Sequence, residues 1–173
     1  MEATIEVPED VTAVMEGANV RVKGPKGELS RSFRSPLVSV ALHDGAFRIT
    51  SRDERRATRA LVGTWRAHLR NMFTGVTAGY EKKMKIIHVH FPMSVKIEGA
   101  RVAVQNLLGQ KSPRYARIET GVEANIEGDE ISVKGTSKDA VGQTVSNIET
   151  ATKLANRRDR RRFYDGVYLV KAK

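Results

Sequence analysis

The sequence predicts an α+β protein of two tandem, duplicated domains, each a small, mainly antiparallel sheet packed against one helix. Three observations predict it: a seven-residue string that recurs at a fixed offset, short alternating apolar stretches punctuated by glycine and proline, and one amphipathic stretch closing each unit. Glu16-Gly17-Ala18-Asn19-Val20-Arg21-Val22 returns 82 residues later as Glu98-Gly99-Ala100-Arg101-Val102-Ala103-Val104. Val7-Pro8 returns as Phe91-Pro92, and Gly27 falls on Gly109. After a small insertion, Asp44-Gly45-Ala46-Phe47-Arg48-Ile49 is echoed by Glu127-Gly128-Asp129-Glu130-Ile131-Ser132-Val133. Acid-Gly turns are common in hairpins, so one such match carries little. Matches that keep both order and spacing favour duplication, with domains at 1–80 and 81–173.

In the first unit, period-2 apolar spacing and β-branched content predict strands at Thr12 to Val14, Asn19 to Lys23, Glu28 to Phe33, Val38 to Leu42 and Phe47 to Ser51. A helix follows over about 52–74, capped by Ser51 or Asp53 and running toward Gly75. At about 100° per residue its apolar side is Ala57, Leu61, Trp65, His68 and Met72. Arg52, Arg55, Arg59, Arg66 and Arg70 form a stripe on the other side, with no acid interleaved after Glu54. Whether that stripe faces RNA, protein or solvent is not decided by the pattern.

The second unit repeats the plan. Strands are predicted at Val95 to Ile97, Val102 to Gln105, Tyr115 to Ile118, Val122 to Ile126 and Ile131 to Lys134. Its helix runs from about Ser137 to Ala155 and turns Val141, Val145, Ile148, Ala151 and Ala155 inward. Phe163 to Val170 reads as a closing strand or hairpin. Two units of this size have thin separate cores, because small chains bury a smaller fraction of their surface.

The 173 residues are 40% apolar and 29% charged, a globular composition. Thirty Lys+Arg against twenty Asp+Glu leave a net charge of +10, an excess that suits a polyanionic partner such as nucleic acid. The chain has no cysteine, which excludes disulfides, zinc ribbons, thiolate chemistry and iron–sulfur clusters and suits a reducing compartment. The opening MEATIEVPED lacks the apolar stretch of a secretion signal, and no segment reaches the ~18 apolar residues of a membrane helix. A soluble, cytoplasmic protein is expected.

The charge is unevenly placed: residues 1–80 carry +3 and residues 81–173 carry +7. Lys153 to Arg162, KLANRRDRRR, holds six cations and one acid, so ten residues carry +5. Guanidinium groups suit RNA because each can fork two phosphate oxygens and stack its plane on a base. A second cluster, Gln110-Lys111-Ser112-Pro113-Arg114-Tyr115-Ala116-Arg117, is a turn with three cations and the repeat image of Lys26 to Arg31. Acids gather at Glu119, Glu123, Glu127, Asp129 and Glu130, which predicts one basic and one acidic edge.

Catalytic and metal motifs are missing from the sequence. His88-Val-His90 places two imidazoles on one strand face, yet no neighbouring Cys or carboxylate completes a tetrahedral set, so no metal is expected. Gly24-Pro25-Lys26-Gly27 lacks the Lys-Ser/Thr ending and following helix of a phosphate loop and reads as a tight turn. There is no Gly-x-Ser-x-Gly or His-Glu-x-x-His, and no close carboxylate pair in an apolar setting. No enzyme activity and no cofactor is expected.

Four longer strings carry a resemblance. They are Val22-Lys23-Gly24-Pro25-Lys26-Gly27-Glu28-Leu29, the junction Asn71-Met72-Phe73-Thr74-Gly75-Val76-Thr77-Ala78-Gly79-Tyr80-Glu81-Lys82-Lys83-Met84, His90-Phe91-Pro92, and Arg161-Arg162-Phe163-Tyr164-Asp165-Gly166-Val167-Tyr168. Through them essentially the whole chain resembles the universal large-subunit ribosomal protein six, in its archaeal and eukaryotic form. The resemblance implies two related α+β domains, no catalysis, and binding of large-subunit rRNA near the stalk base and the sarcin–ricin region, where translation factors dock. It implies that the C-terminal domain makes most of the RNA contact. The expected rRNA-binding set is Lys111, Ser112, Arg114, Lys138, Lys153, Arg157, Arg158, Arg160, Arg161, Arg162, Lys171 and Lys173. Expected partners are rRNA, neighbouring large-subunit proteins and translation factors, with no membrane and no small-molecule substrate. A free-standing RNA-binding or ribosome-assembly factor is the alternative.

Overall fold

A computed structural model describes residues 2–43, 45–154 and 162–170. The chain divides into two compact units, residues 1–79 and 80–173. The first contains β1 (Glu2–Glu6), β2 (Thr12–Glu16), β3 (Asn19–Gly24), β4 (Gly27–Ser32), β5 (Val38–His43), β6 (Ala46–Ser51) and α1 (Arg56–Thr77). The second contains β7 (Tyr80–Ile87), β8 (Ser94–Glu98), β9 (Arg101–Gln105), a 3₁₀ turn at Leu107–Gly109, β10 (Arg114–Arg117), β11 (Val122–Glu127), β12 (Glu130–Gly135), α2 (Lys138–Thr152) and β13 (Gly166–Leu169).

The α+β class and the antiparallel pairing agree with the sequence reading, and the β part of each unit is shared between two sheets. In the first unit these are β1-β6-β5 and β2-β3-β4; in the second, β11-β12-β7-β13 and β10-β9-β8. The duplication is visible in the pairing itself. β1 joins β6 as β7 joins β12, and β2-β3-β4 stands to its unit as β8-β9-β10 does to the other. The acid-Gly strings are the hairpin turns of both copies, with φ of 63° at Gly17, 60° at Gly99, 72° at Gly45 and 59° at Gly128. Only glycine adopts that left-handed backbone freely, so the residues that revealed the repeat are those the turns require.

Two strands, β1 and β7, lack a sequence-level expectation. β1 is EATIE, polar at alternate positions and short. β7 carries Lys82, Lys83 and Lys85 and yet runs between β12 and β13, with Met84 and Ile86 buried. Its lysines interrupt the apolar alternation, whereas pairing on both edges makes it a strand.

The two helix starts contrast. Ser137, the expected start of the second helix, caps α2, its Oγ accepting from the Ala140 N–H at 3.3 Å. Neither Ser51 nor Asp53 caps α1, which starts at Arg56 with no side-chain cap at Arg55. Ser51 is held in β6 opposite Val38, and the Arg52 N–H still donates to the Leu37 carbonyl, so the chain leaves the sheet too late for either to cap. Asp53 accepts from the Arg55 N–H in the turn before the helix. α1 also runs past Gly75 to Thr77, and α2 stops at Thr152, where Lys153 is already extended.

The buried side of α1 is Thr58, Val62, Trp65, Leu69, Met72, Phe73 and Val76. Of the expected set only Trp65 and Met72 are buried; Leu61 packs partly against the core and Ala57 is exposed. The true face is turned toward the arginines, because Leu69, Phe73 and Val76 seat against Phe47, Ile49, Val20 and Val22. Full burial of each such side chain contributes about 2 kcal/mol. Phe33 meets Trp65 edge-on at 5.5 Å between ring centres. α2 buries Val141, Val145 and Ile148 as expected, against Met84, Val102, Val104, Ile131 and Val133.

Candidate nucleic-acid interface

In each unit a cation from the β2-β3-β4 type of sheet is anchored to the end of that unit's helix. In the first, the tight turn Gly24-Pro25-Lys26-Gly27 joins β3 to β4 and lies on the last turn of α1. The Lys26 N–H donates to the Val76 carbonyl at 2.9 Å, and its Nζ donates to the Ala78 carbonyl. A Cβ on Gly24 would meet Val76 at 2.8 Å, so the close approach needs glycine. In the second unit, Arg114 takes the corresponding role. Its Nη1 donates to the carbonyls of Ala151 at 3.0 Å and Lys153 at 3.1 Å, and its Nε donates to Gln110 Oε1 at 3.0 Å. Helix C-termini leave carbonyls without partners and carry negative partial charge, which a guanidinium answers on both counts.

Arg114 is thus a positioning residue, with three of its hydrogen bonds inside the fold. It ties the turn that carries the exposed Lys111 and Ser112 to the Lys153 carbonyl at the end of α2, where the basic run begins. The turn follows a rigid stretch. Asn106 and Leu108 adopt φ of 58° and 49°, Leu107 and Leu108 are buried, and the Asn106 amide donates to the Pro92 carbonyl at 2.8 Å. Replacing Arg114 by alanine is expected to destabilise this unit by about 1–2 kcal/mol. Amide exchange at the C-terminal turn of α2 measures it, and unaltered protection there contradicts the anchoring role.

The far end of the basic run is fastened as well. Arg162 is exposed, and after it Phe163 packs partly against the core, Asp165 is only 1% exposed, and β13 follows with Val167 buried. The Val167 N–H donates to Thr152 Oγ1 at 3.1 Å and the Leu169 N–H to Glu149 Oε1 at 2.9 Å, so α2 side chains cover the edge of β13 away from β7. Asp165 Oδ1 accepts the N–H groups of Val89 and of His90, the latter at 3.0 Å. Its Oδ2 lies 2.6 Å from His90 Nδ1, and His90 stacks on Phe163 with ring centres 5.1 Å apart. Burial pushes the Asp165 carboxyl up, but the two backbone N–H groups and the His90 imidazole outweigh it and hold the carboxyl below its ordinary value.

This corrects the reading of His88-Val-His90. The two histidines lie beyond the end of β7 and not on a strand face, and His90 is bound to Asp165. Among the described residues no group of three or more His, Cys, Asp or Glu could hold a metal ion.

Of the remaining expected contacts, Lys138 is exposed but at the opposite end of α2 from Lys153, about 20 Å away at 1.5 Å per residue, with its Nζ near the Tyr80 ring. It is not brought to the others. Arg157, Arg158, Arg160, Arg161, Lys171 and Lys173 lie outside the described residues. Arg66 and Arg70 of the stripe line a groove of about 540 Å³ that also holds Glu6 and Asp10, so acids on the first unit partly balance them. No helix among the described residues is long and apolar enough to cross a membrane.

Comparison with known proteins identifies the family. The family model described as Ribosomal protein L6 matches residues 7–79 and 91–158, one segment in each unit. The chain is 40% identical over 170 residues to the large ribosomal subunit protein uL6 of Natronomonas pharaonis, covering 98% of this chain and 96% of that protein. It is 43% identical to the uL6 of Methanothrix thermoacetophila, over 96% of this chain and 94% of the relative. The uL6 of Ignicoccus hospitalis is 42% identical, over 98% and 93%. With a match across both units and relatives of this identity along nearly its full length, the chain belongs to the ribosomal protein L6 family, a family of structural and not enzymatic ribosomal proteins.

Proposed function

We propose that the chain is a structural component of the large ribosomal subunit that binds and stabilises large-subunit rRNA near the stalk base and the sarcin–ricin region, beside the site where translation factors dock. The C-terminal unit is the main RNA-binding domain. One observation carries this reading: the segment with +5 in ten residues is fastened at both flanks, through Arg114 and Leu154 on one side and Asp165 and β13 on the other. A basic segment whose flanks are held loses less conformational freedom on binding than a free tail does.

The mechanism is passive. Lys and Arg displace condensed counterions from packed RNA helices and reduce the repulsion between phosphates that must lie close together. A-form RNA hides its major-groove edges, so this surface reads shape, phosphate and 2′-hydroxyl positions and not a base code.

Sedimentation tests the reading. The tagged chain is expected to stay with large subunits through a high-salt wash, as a built-in component does. Release into the supernatant at that step overturns it in favour of a free-standing RNA-binding or assembly factor.

A further inference from the structure

A second basic surface lies on the other side of the β8-β9-β10 sheet from α2. In an antiparallel pair, residues directly opposite each other share a face. The register therefore sets Lys96, Ala103 and Tyr115 in one row, and Glu98, Arg101 and Arg117 in the next. The reverse face carries Val95, Val102, Val104 and Ala116, which pack with α2 in the core. On the front face Lys96, Arg101 and Arg117 are exposed and Tyr115 is 49% exposed, around the buried Ala103 at its centre. Arg101 holds its guanidinium carbon 4.3 Å from the centre of the Tyr115 ring.

We propose that this face docks an unpaired stretch of RNA, with a base stacked on the Arg101–Tyr115 layer and its phosphates met by Lys96 and Arg117. Charge selects a polyanion here: Glu98 is the single acid and pairs with Arg101 at 3.5 Å, which leaves the charges of Lys96 and Arg117 in excess. The outer face of the neighbouring β11-β12-β7 sheet differs. There Glu81, Glu123, Glu127 and Glu130 offset Lys83, Lys85 and Lys134, and Lys134 pairs with Glu81 at 3.5 Å. The aromatic layer selects the unpaired form. Unstacked bases lie on tyrosine rings and guanidinium planes, whereas a duplex keeps its base faces inside the helix. None of these four side chains is in the core, and Arg101 spends its guanidinium on Glu98 and the Tyr115 ring, within the face itself.

The inference rests on the RNA-binding reading above but uses a face distinct from the arginine run, and two probes separate them. The full chain is titrated with a single-stranded RNA oligomer and with a duplex of equal length. Lys96→Ala with Arg117→Ala is expected to lower single-strand affinity about tenfold and to reduce its salt slope by about two, with duplex affinity kept. Tyr115→Ala is expected to weaken single-strand binding about tenfold, and Tyr115→Phe to restore it, because stacking needs the ring and not the hydroxyl. If the unaltered chain binds neither RNA, the RNA-binding reading itself is overturned. If it binds the single strand and the Lys96/Arg117 variant keeps both affinity and slope, this inference alone is overturned.

Discussion

Replacing Asp165 by alanine is expected to destabilise the C-terminal unit by about 3 kcal/mol. The loss has an identifiable origin. The N–H groups of Val89 and His90 and the His90 imidazole together lose their acceptor, a nearly fully buried carboxylate, at about 1 kcal/mol for each hydrogen bond. Trp65, the sole tryptophan, belongs to the other unit, so its fluorescence does not report the change. Amide exchange at Met84 and Val133 does, with Leu69 as the reference in the first unit. Equal protection in both proteins would refute the assignment.

Asp165→Asn separates the charge from the shape. The folded carboxyl titrates below its ordinary value of 3.8, so the ionised form is the one the fold favours. Its contribution is fully present above the unfolded value and is lost as pH falls through the folded one. The unaltered chain is therefore expected to lose more stability than Asp165→Asn on acidification from about pH 5 downward, and the two to differ by a constant amount near neutrality. Parallel curves throughout the acid range contradict it.

The second large effect concerns the run itself. Arg160, Arg161 and Arg162 changed together to alanine are expected to weaken binding to large-subunit rRNA about a hundredfold, at about 1 kcal/mol for each guanidinium. The salt slope is expected to fall by about three, because each lost phosphate contact releases about one counterion fewer. Single substitutions are each expected to cost less than tenfold. Filter binding at several salt concentrations reads both quantities, and a triple variant with unaltered affinity and slope removes the run from the interface.

The relation between repeat and chemistry shows how far the sequence reaches. Charge groups the turn from Gln110 to Arg117 as an image of Lys26 and its neighbours, and the family resemblance implies RNA binding at its Lys111, Ser112 and Arg114. The equivalence holds in a different sense: Lys26 binds the Ala78 carbonyl, and Arg114 binds the Ala151 and Lys153 carbonyls. Cation content is legible along a chain, but whether a guanidinium meets solvent or a helix end depends on what lies opposite it. For the same reason Asp165 drew no attention as a lone acid after the arginines, since its partners are 75 and 76 residues away.

Helix faces and strand ends follow the same logic. The 100° periodicity found α1 and α2, yet the apolar side of α1 was set too far from its arginines, because Ala57 and Leu61 count as apolar whether or not a sheet covers them. Contacts to Phe47, Ile49 and Val22 chose the side. β7 has no counterpart among the predicted strands because its lysines break the apolar alternation, and only its two flanking strands declare it.

By itself the sequence determined the α+β class, the duplication, the helix count, the family resemblance and the concentration of positive charge, because turn glycines, periodicity and net charge are local properties. The tertiary structure alone decided which cations are anchors and which are exposed, how the described residues flanking the basic run are held, and which sheet face carries the exposed cations. Those depend on contacts between residues far apart in the chain, whose pairing becomes defined only when the backbone closes on itself.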